Sequence, residues 1–153
     1  MSILIREIKQ IFPNDELWQK TIDYGKNCSW KAGPVFAEQM EQNKFTGWER
    51  VFAAIDDDNN IAGYCTFVKN DCIPDVKYTP YISCIFVGEQ YRGKRLSEKM
   101  ILTVIEYARK MKFNEVYIVS NHINLYEKYG FIKIDEKKDY WNNDEKIYKR
   151  IIV

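Results

Sequence analysis

The stretch from Tyr81 to Met111 restricts the fold of this chain more than any other. A nearly unbroken β-prone run, Tyr81 to Val87, leads through Gly88, Glu89, Gln90, Tyr91, Arg92, Gly93, Lys94 and Arg95 into an amphipathic segment from about Leu96 to Met111. There Met100, Ile101, Val104, Ile105 and Ala108 recur at helical spacing, with Glu98, Lys99, Glu106 and Arg109 outside the stripe. Glu115 to Val119 then reads as a short strand. Strand, turn, helix and strand make one βαβ crossover in the middle of the chain.

The turn inside that crossover carries chemistry. A helix start presents unpaired backbone N–H groups and the positive end of a dipole, and a glycine such as Gly93 lets backbone approach an anion. The dipole contributes only about 0.3 to 1 kcal/mol, whereas each hydrogen bond to a charged group contributes roughly 1.5 to 3. Converging amides therefore dominate, and Arg92 and Lys94 add charge. On the alternative reading Gly93 only turns the chain and the cations are solvated, but cations at a helix amino terminus oppose the dipole unless an anion joins them. The two glycines do not have the spacing of a Walker A loop or a dinucleotide fingerprint.

The flanks complete a mixed α/β pattern. Ile3 to Ile8 is β-prone, and Pro13, Asn14 and Asp15 supply turn and capping chemistry for a helix from about Asp15 to Asn27. Gly33 and Pro34 open a second helix over about Val35 to Asn43. Glu49 to Ile55 and Ile61 to Val68 flank a polar run, Asp56 to Asn60, which reads as a hairpin turn. The same three aspartates as a cation loop would need further spaced ligands and a glycine at the sharp turn, so no metal site is expected. Asn124 to Tyr129 reads as a short helix ended by Gly130. Phe131 to Asp135 and Lys146 to Val153 read as strands around a turn at Asn142, Asn143 and Asp144.

Two segments resemble the GNAT superfamily of acetyl-coenzyme A-dependent N-acetyltransferases. Gln90, Tyr91, Arg92, Gly93, Lys94 is similar to that family's Q/R-x-x-G-x-G/A signature, with Arg95 standing where Gly or Ala is usual and Ser97 replacing another small residue. Downstream, Leu125, Tyr126, Glu127, Lys128, Tyr129, Gly130, Phe131 looks like its L-Y-E-K-x-G-F segment. The resemblance implies an α/β (α+β) fold with a mostly antiparallel central sheet flanked by helices, as one domain over residues 1–153. It implies that the Tyr81 strand splays from the Glu115 strand and that pantetheine lies along Ile85, Phe86 and Val87. The cradle would comprise Arg92, Gly93, Lys94, Arg95, Leu96 and Ser97, with Asn121 and Asn124 as polar neighbours. Tyr126 matches the tyrosine that protonates the departing thiolate.

The activity so implied is transfer of an acetyl group to a primary amine of a small molecule or peptide, by direct attack in a ternary complex. Orientation of two bound substrates can supply about 7 to 11 kcal/mol, so few reactive side chains are needed. No residue identifies itself as the base. His122, the sole histidine, is one candidate, and Cys84 is a candidate acyl carrier that otherwise reads as inert core. The rival reading is a coenzyme-A-binding sensor or interaction module without turnover.

Charge and composition bear on partners. With 23 Lys and Arg against 22 Asp and Glu the net charge is +1, which offers no strong field for nucleic acid or anionic membrane. No segment approaches the roughly 20 apolar residues of a membrane span. Arg6, Glu7 and Lys9 interrupt the start, and the four cysteines lack metal-ligand spacing, so a soluble cytoplasmic protein with reduced thiols is expected. The carboxyl-terminal strands offer edges for a homodimer.

Overall fold

The computed structural model describes residues 5–153. Seven strands form one sheet: β1 (Ile5–Ile11), β2 (Arg50–Asp56), β3 (Ile61–Val68), β4 (Tyr81–Val87), β5 (Glu115–Ser120), β6 (Ile132–Lys138) and β7 (Asp144–Ile151). Their spatial order is β1-β2-β3-β4-β5-β7-β6, and every neighbouring pair is antiparallel except β4 and β5. Helices α1 (Glu16–Asn27), α2 (Gly33–Glu41) and α3 (Leu96–Lys110) cover the two faces. The architecture is the mixed, mostly antiparallel α/β sheet that the sequence led us to expect.

Strand periodicity sorts the core. On β2, Val51, Ala53 and Ile55 pack with Leu17, Ile22, Phe36 and Met40 beneath α1 and α2, while Phe52 and Ala54 pack with Met100, Ile101 and Val104 beneath α3. Because β2 and β3 are covered on both sides, they read as continuous apolar runs. No helix among the described residues is long and apolar enough to cross a membrane.

Several boundaries differ from expectation for local reasons. Ile3 lies outside the described residues, and β1 runs on to Ile11 because Gln10 and Ile11 pair with Phe52 and Val51. Asp15 stands at the start of α1 but makes no bond into it; its carboxylate accepts the Phe12 N–H at 2.9 Å. The segment after Asn124 is a single tight turn, Tyr126–Tyr129, because Asn124 and Gly130 both take left-handed conformations (φ 62° and 86°) and bracket it. The last hairpin turns earlier than expected. The Asp139 carboxylate accepts the N–H groups of Trp141 and Asn143, each at 2.9 Å, which closes the loop and lets Asp144 and Glu145 join β7.

Asp56 links the first hairpin to the turn before α3. Fully buried, its carboxylate accepts the Tyr91 hydroxyl at 2.7 Å and the Asp58 and Asn60 N–H groups at 2.9 Å, so it is spent on folding. Burial pushes the carboxyl up, but the Tyr91, Asn60 and Asp58 bonds outweigh it and hold it below its usual range. Asp56→Ala strands those donors and is expected to cost roughly 3 kcal/mol in urea unfolding near pH 7. Since the folded carboxyl titrates below the unfolded one, the difference between the two proteins is full above about pH 4 and narrows as pH falls. A difference that stayed constant down to about pH 2 would contradict this account.

Candidate active site

The βαβ unit places its two strands side by side without zipping them. Only Tyr81 and Tyr117 are in register, with the Tyr117 N–H bonded to the Pro80 carbonyl at 2.9 Å, and beyond them the strands part. The partner ladder shows why β4 bends. Its register on β3 passes from Tyr64–Phe86 to Thr66–Ser83, so Cys84 and Ile85 together face Cys65 in a β-bulge, with Cys84 at φ 50°.

The bulge leaves an open edge of defined polarity. The Gly88 N–H bonds to the Ala62 carbonyl at 2.8 Å, so by alternation the backbone groups of Phe86 and Gly88 face β3. By the same alternation those of Ile85 and Val87 are directed away from β3. The Val87 carbonyl is already taken by Arg92 Nε at 3.0 Å. Phe86 is different: its side chain lies on the opposite face, stacked on Trp30 and Tyr64.

At the end of this edge the turn opens. Gly93 has φ 80°, and a Cβ placed there would meet nothing within 4 Å. Arg95 adopts the left-handed conformation (φ 60°, ψ 30°) and makes no cap, and the first backbone bond into α3 runs from Lys99 to the Arg95 carbonyl. The amides of Leu96, Ser97 and Glu98 therefore have no acceptor within the helix. A left-handed position favours glycine, which is the physical reason a small residue is usual there. Arg95 keeps its side chain clear of the turn by pairing with Glu98 at 2.6 and 2.9 Å and lying over the Tyr129 ring.

The remaining expected residues divide. Leu96 is buried and anchors the helix start, Lys94 is exposed, and the Ser97 hydroxyl bonds Tyr129 at 3.0 Å across the gap. Arg92 serves the strand, tied to Val87 and placed over Phe86. Asn121 and Asn124 are not brought to the cradle. Asn121 turns to Glu145 and Asp144, with its amide 2.7 Å from each, and Asn124 is exposed and supplies the left-handed turn.

Tyr126 faces a cavity of about 600 Å³ that begins in the gap, between Ile85 and Ser120, and widens beneath α2. It is buried among Tyr129, Phe131 and Tyr148. Burial, and then Tyr129, push its phenol up to about 12, with the Ser120 hydroxyl pulling the other way. It stays protonated at neutral pH. His122 lines the cavity beside it, exposed, with 6.5 Å between ring centroids.

The cavity wall holds carboxylates that the sequence pattern did not single out. Asp71 accepts the Ser83 hydroxyl at 2.8 Å, and Glu49 accepts the Lys69 N–H at 2.9 Å. Behind Asp71, the donor atoms of Cys72, Asp139 and Glu145 lie within 4.8 Å of one another. Burial, then the hydrogen bond with Asp139, push Glu145 up to about 7, and burial, then Asp71, push the Cys72 thiol up to about 12.

The comparisons with known proteins fit this geometry. A model of the acetyltransferase (GNAT) family matches residues 14–131. The chain belongs to the GNAT acetyltransferase family. Among curated proteins it is 38% identical over 103 residues to the SPbeta prophage-derived uncharacterized N-acetyltransferase YokL of Bacillus subtilis strain 168, covering 63% of this chain and 52% of that protein. It is 28% identical over 112 residues to N-alpha-acetyltransferase 30 of Saccharomyces cerevisiae, covering 68% and 64%. The GNAT chain thus spans about half to two-thirds of the length of these relatives. In fold it is similar to the crystal structure of an aminoglycoside 6'-N-acetyltransferase complexed with coenzyme A, with a TM-score of 0.71, 12% identity and coverage of 96% and 97%.

Within this GNAT site the surroundings of Cys84 disfavour its thiolate. Burial, then Asp71, push its thiol up to about 12, against hydrogen bonds with Ser83 and Thr66 that lower it. At pH 7.5 its thiolate fraction, and hence its alkylation by iodoacetamide, should be on the order of a thousandfold below that of free cysteine. Peptide mapping that found Cys84 labelled as fast as free cysteine would contradict the assignment.

Proposed function

We propose that the protein is an N-acetyltransferase that moves an acetyl group from acetyl-coenzyme A to a primary amine of a small molecule or peptide, by direct attack in a ternary complex. One observation carries the reading: the β4 edge that β5 leaves beyond Tyr81 lies between an open helix amino terminus and a cavity lined by Tyr126. The residues fit the cosubstrate. The amides of Leu96, Ser97 and Glu98, with Gly93 leaving room for close approach, suit a pyrophosphate, and the Lys94 side chain adds charge. Backbone groups of Ile85 and Val87 suit the amide-bearing pantetheine arm, and acetyl-coenzyme A brings the activated thioester.

The chain's own groups then divide the work. The Ile85 amide at the bulge suits the thioester oxygen, where negative charge develops. Tyr126, protonated because it is buried, donates to the leaving sulfur. Cavity walls of Trp30, Phe36 and Phe45 exclude water and orient the acceptor. We place the protein in the cytoplasm, because its four free cysteines suit a reducing compartment.

Tyr126→Phe keeps the packing and removes the donor. Its kcat, followed by thiol release, should fall on the order of a hundredfold while the Kd for acetyl-coenzyme A stays within twofold. Gly93→Val, strained at positive φ and reaching into the cradle, should weaken that Kd by about tenfold or more. Equal loss of turnover and affinity in Tyr126→Phe would remove the acid role, and unchanged affinity in Gly93→Val would remove the cradle.

A further inference from the structure

Asp71 is a half-buried carboxylate in the wall of the acceptor cavity. The Ser83 hydroxyl and the Cys72 N–H hold its two oxygens at 2.8 and 2.6 Å, which fixes its direction without neutralising it. No lysine or arginine among the described residues forms a salt bridge with it. Burial chiefly, and the negative charge of Asp71 in addition, favours the protonated forms of its neighbours Cys72, Tyr81, Cys84 and Glu145. Lys44 lines the same cavity as Asp71 and Glu49 without forming a salt bridge to either, and a carboxylate held in a partly desolvated wall gains from a ligand cation that completes the pair.

That ligand charge does not belong on the nitrogen that reacts. A carboxylate against an ammonium holds its proton on, whereas attack on a thioester needs the free amine. The placement agrees. Asp71 meets β4 at Ser83, on the near side of the bulge at Cys84, and the open edge begins beyond that bulge at Ile85, so the carboxylate stands apart from the reacting end. Trp30, Tyr140 and Trp141 line the same space, and aromatic walls favour a cation.

We propose that Asp71 is the specificity-determining anchor for a second positive charge on the acceptor, so that the preferred substrate is an aliphatic diamine or polyamine whose far cation reaches Asp71. This rests on the acetyltransferase reading above. Amines carrying a carboxylate in place of that cation are repelled by the same group.

The test uses three acceptors of equal length, putrescine, butylamine and γ-aminobutyrate, whose far ends are cationic, neutral and anionic. Wild-type protein should give KM in the order putrescine, butylamine, γ-aminobutyrate, with at least about tenfold between the first two. Asp71→Asn should collapse the putrescine-to-butylamine ratio toward one, and Ser83→Ala, which keeps the charge but loosens its tether, should reduce it only a few-fold. Equal KM values in the wild type, or a preference that survives Asp71→Asn in folded protein, would overturn the proposal. If none of the three turns over, calorimetric titration of putrescine into protein saturated with coenzyme A decides: binding abolished by Asp71→Asn supports the anchor, and no binding to wild type refutes it. Failure of acetyl-coenzyme A itself to bind would instead refute the parent reading.

Discussion

The site depends on a ladder that stops. Two parallel neighbours in a sheet would normally pair along their length, because an unpaired backbone group away from water costs about as much as a lost hydrogen bond. Here β4 and β5 share the single register pair Tyr81–Tyr117 and then separate. The bulge at Cys84 bends β4 away, and Arg92 satisfies one freed carbonyl at Val87. The remaining groups of that edge can be satisfied by a ligand with amides of its own. Packing supports the break from both sides, because Phe86 is fixed against Trp30 and Tyr64 while Ile85 and Val87 pack toward α3.

Everything chemical is arranged around that opening. At one end α3 begins with uncapped amides at a left-handed Arg95, and at the other the cavity carries Tyr126, Asp71 and Glu49. Ser97 and Tyr129 join hydroxyls across the gap, so the start of α3 and the turn bearing Tyr126 are positioned together. Burial sets the protonation states: Tyr126 and Cys84 are both pushed up to about 12, which makes the phenol a donor and the thiol inert. A protonated thiol at Cys84 disfavours covalent catalysis through that residue.

Much of this was legible in the sequence because it rests on periodicity and turn chemistry. Tyr81 to Val87 and Ile61 to Val68 coincide with β4 and β3, and the helical stripe from Leu96 gives α3. Gly93 and Tyr126 were legible through their flanking motifs. The bulge was not, since Ser83, Cys84 and Ile85 are ordinary strand residues and a positive φ at Cys84 has no signature in composition. Asp71 lies in an irregular polar loop, and only the fold of that loop onto Ser83 brings it to the cavity. For Asn121 and Asn124 motif spacing gives distance along the chain but not direction: one turns to Glu145 and the other makes a left-handed turn.

The central claim is that the parted strands and the uncapped helix form a coenzyme A site, and amide chemical shifts read it most directly. In a titration of isotopically labelled protein with acetyl-coenzyme A, the account predicts saturable one-to-one binding. The largest perturbations should fall on Ile85, Val87, Gly93 and Leu96 to Glu98, with β1 and β2 unaffected. Folded protein whose spectrum does not change, or changes only at sites remote from the β4 edge, would contradict it.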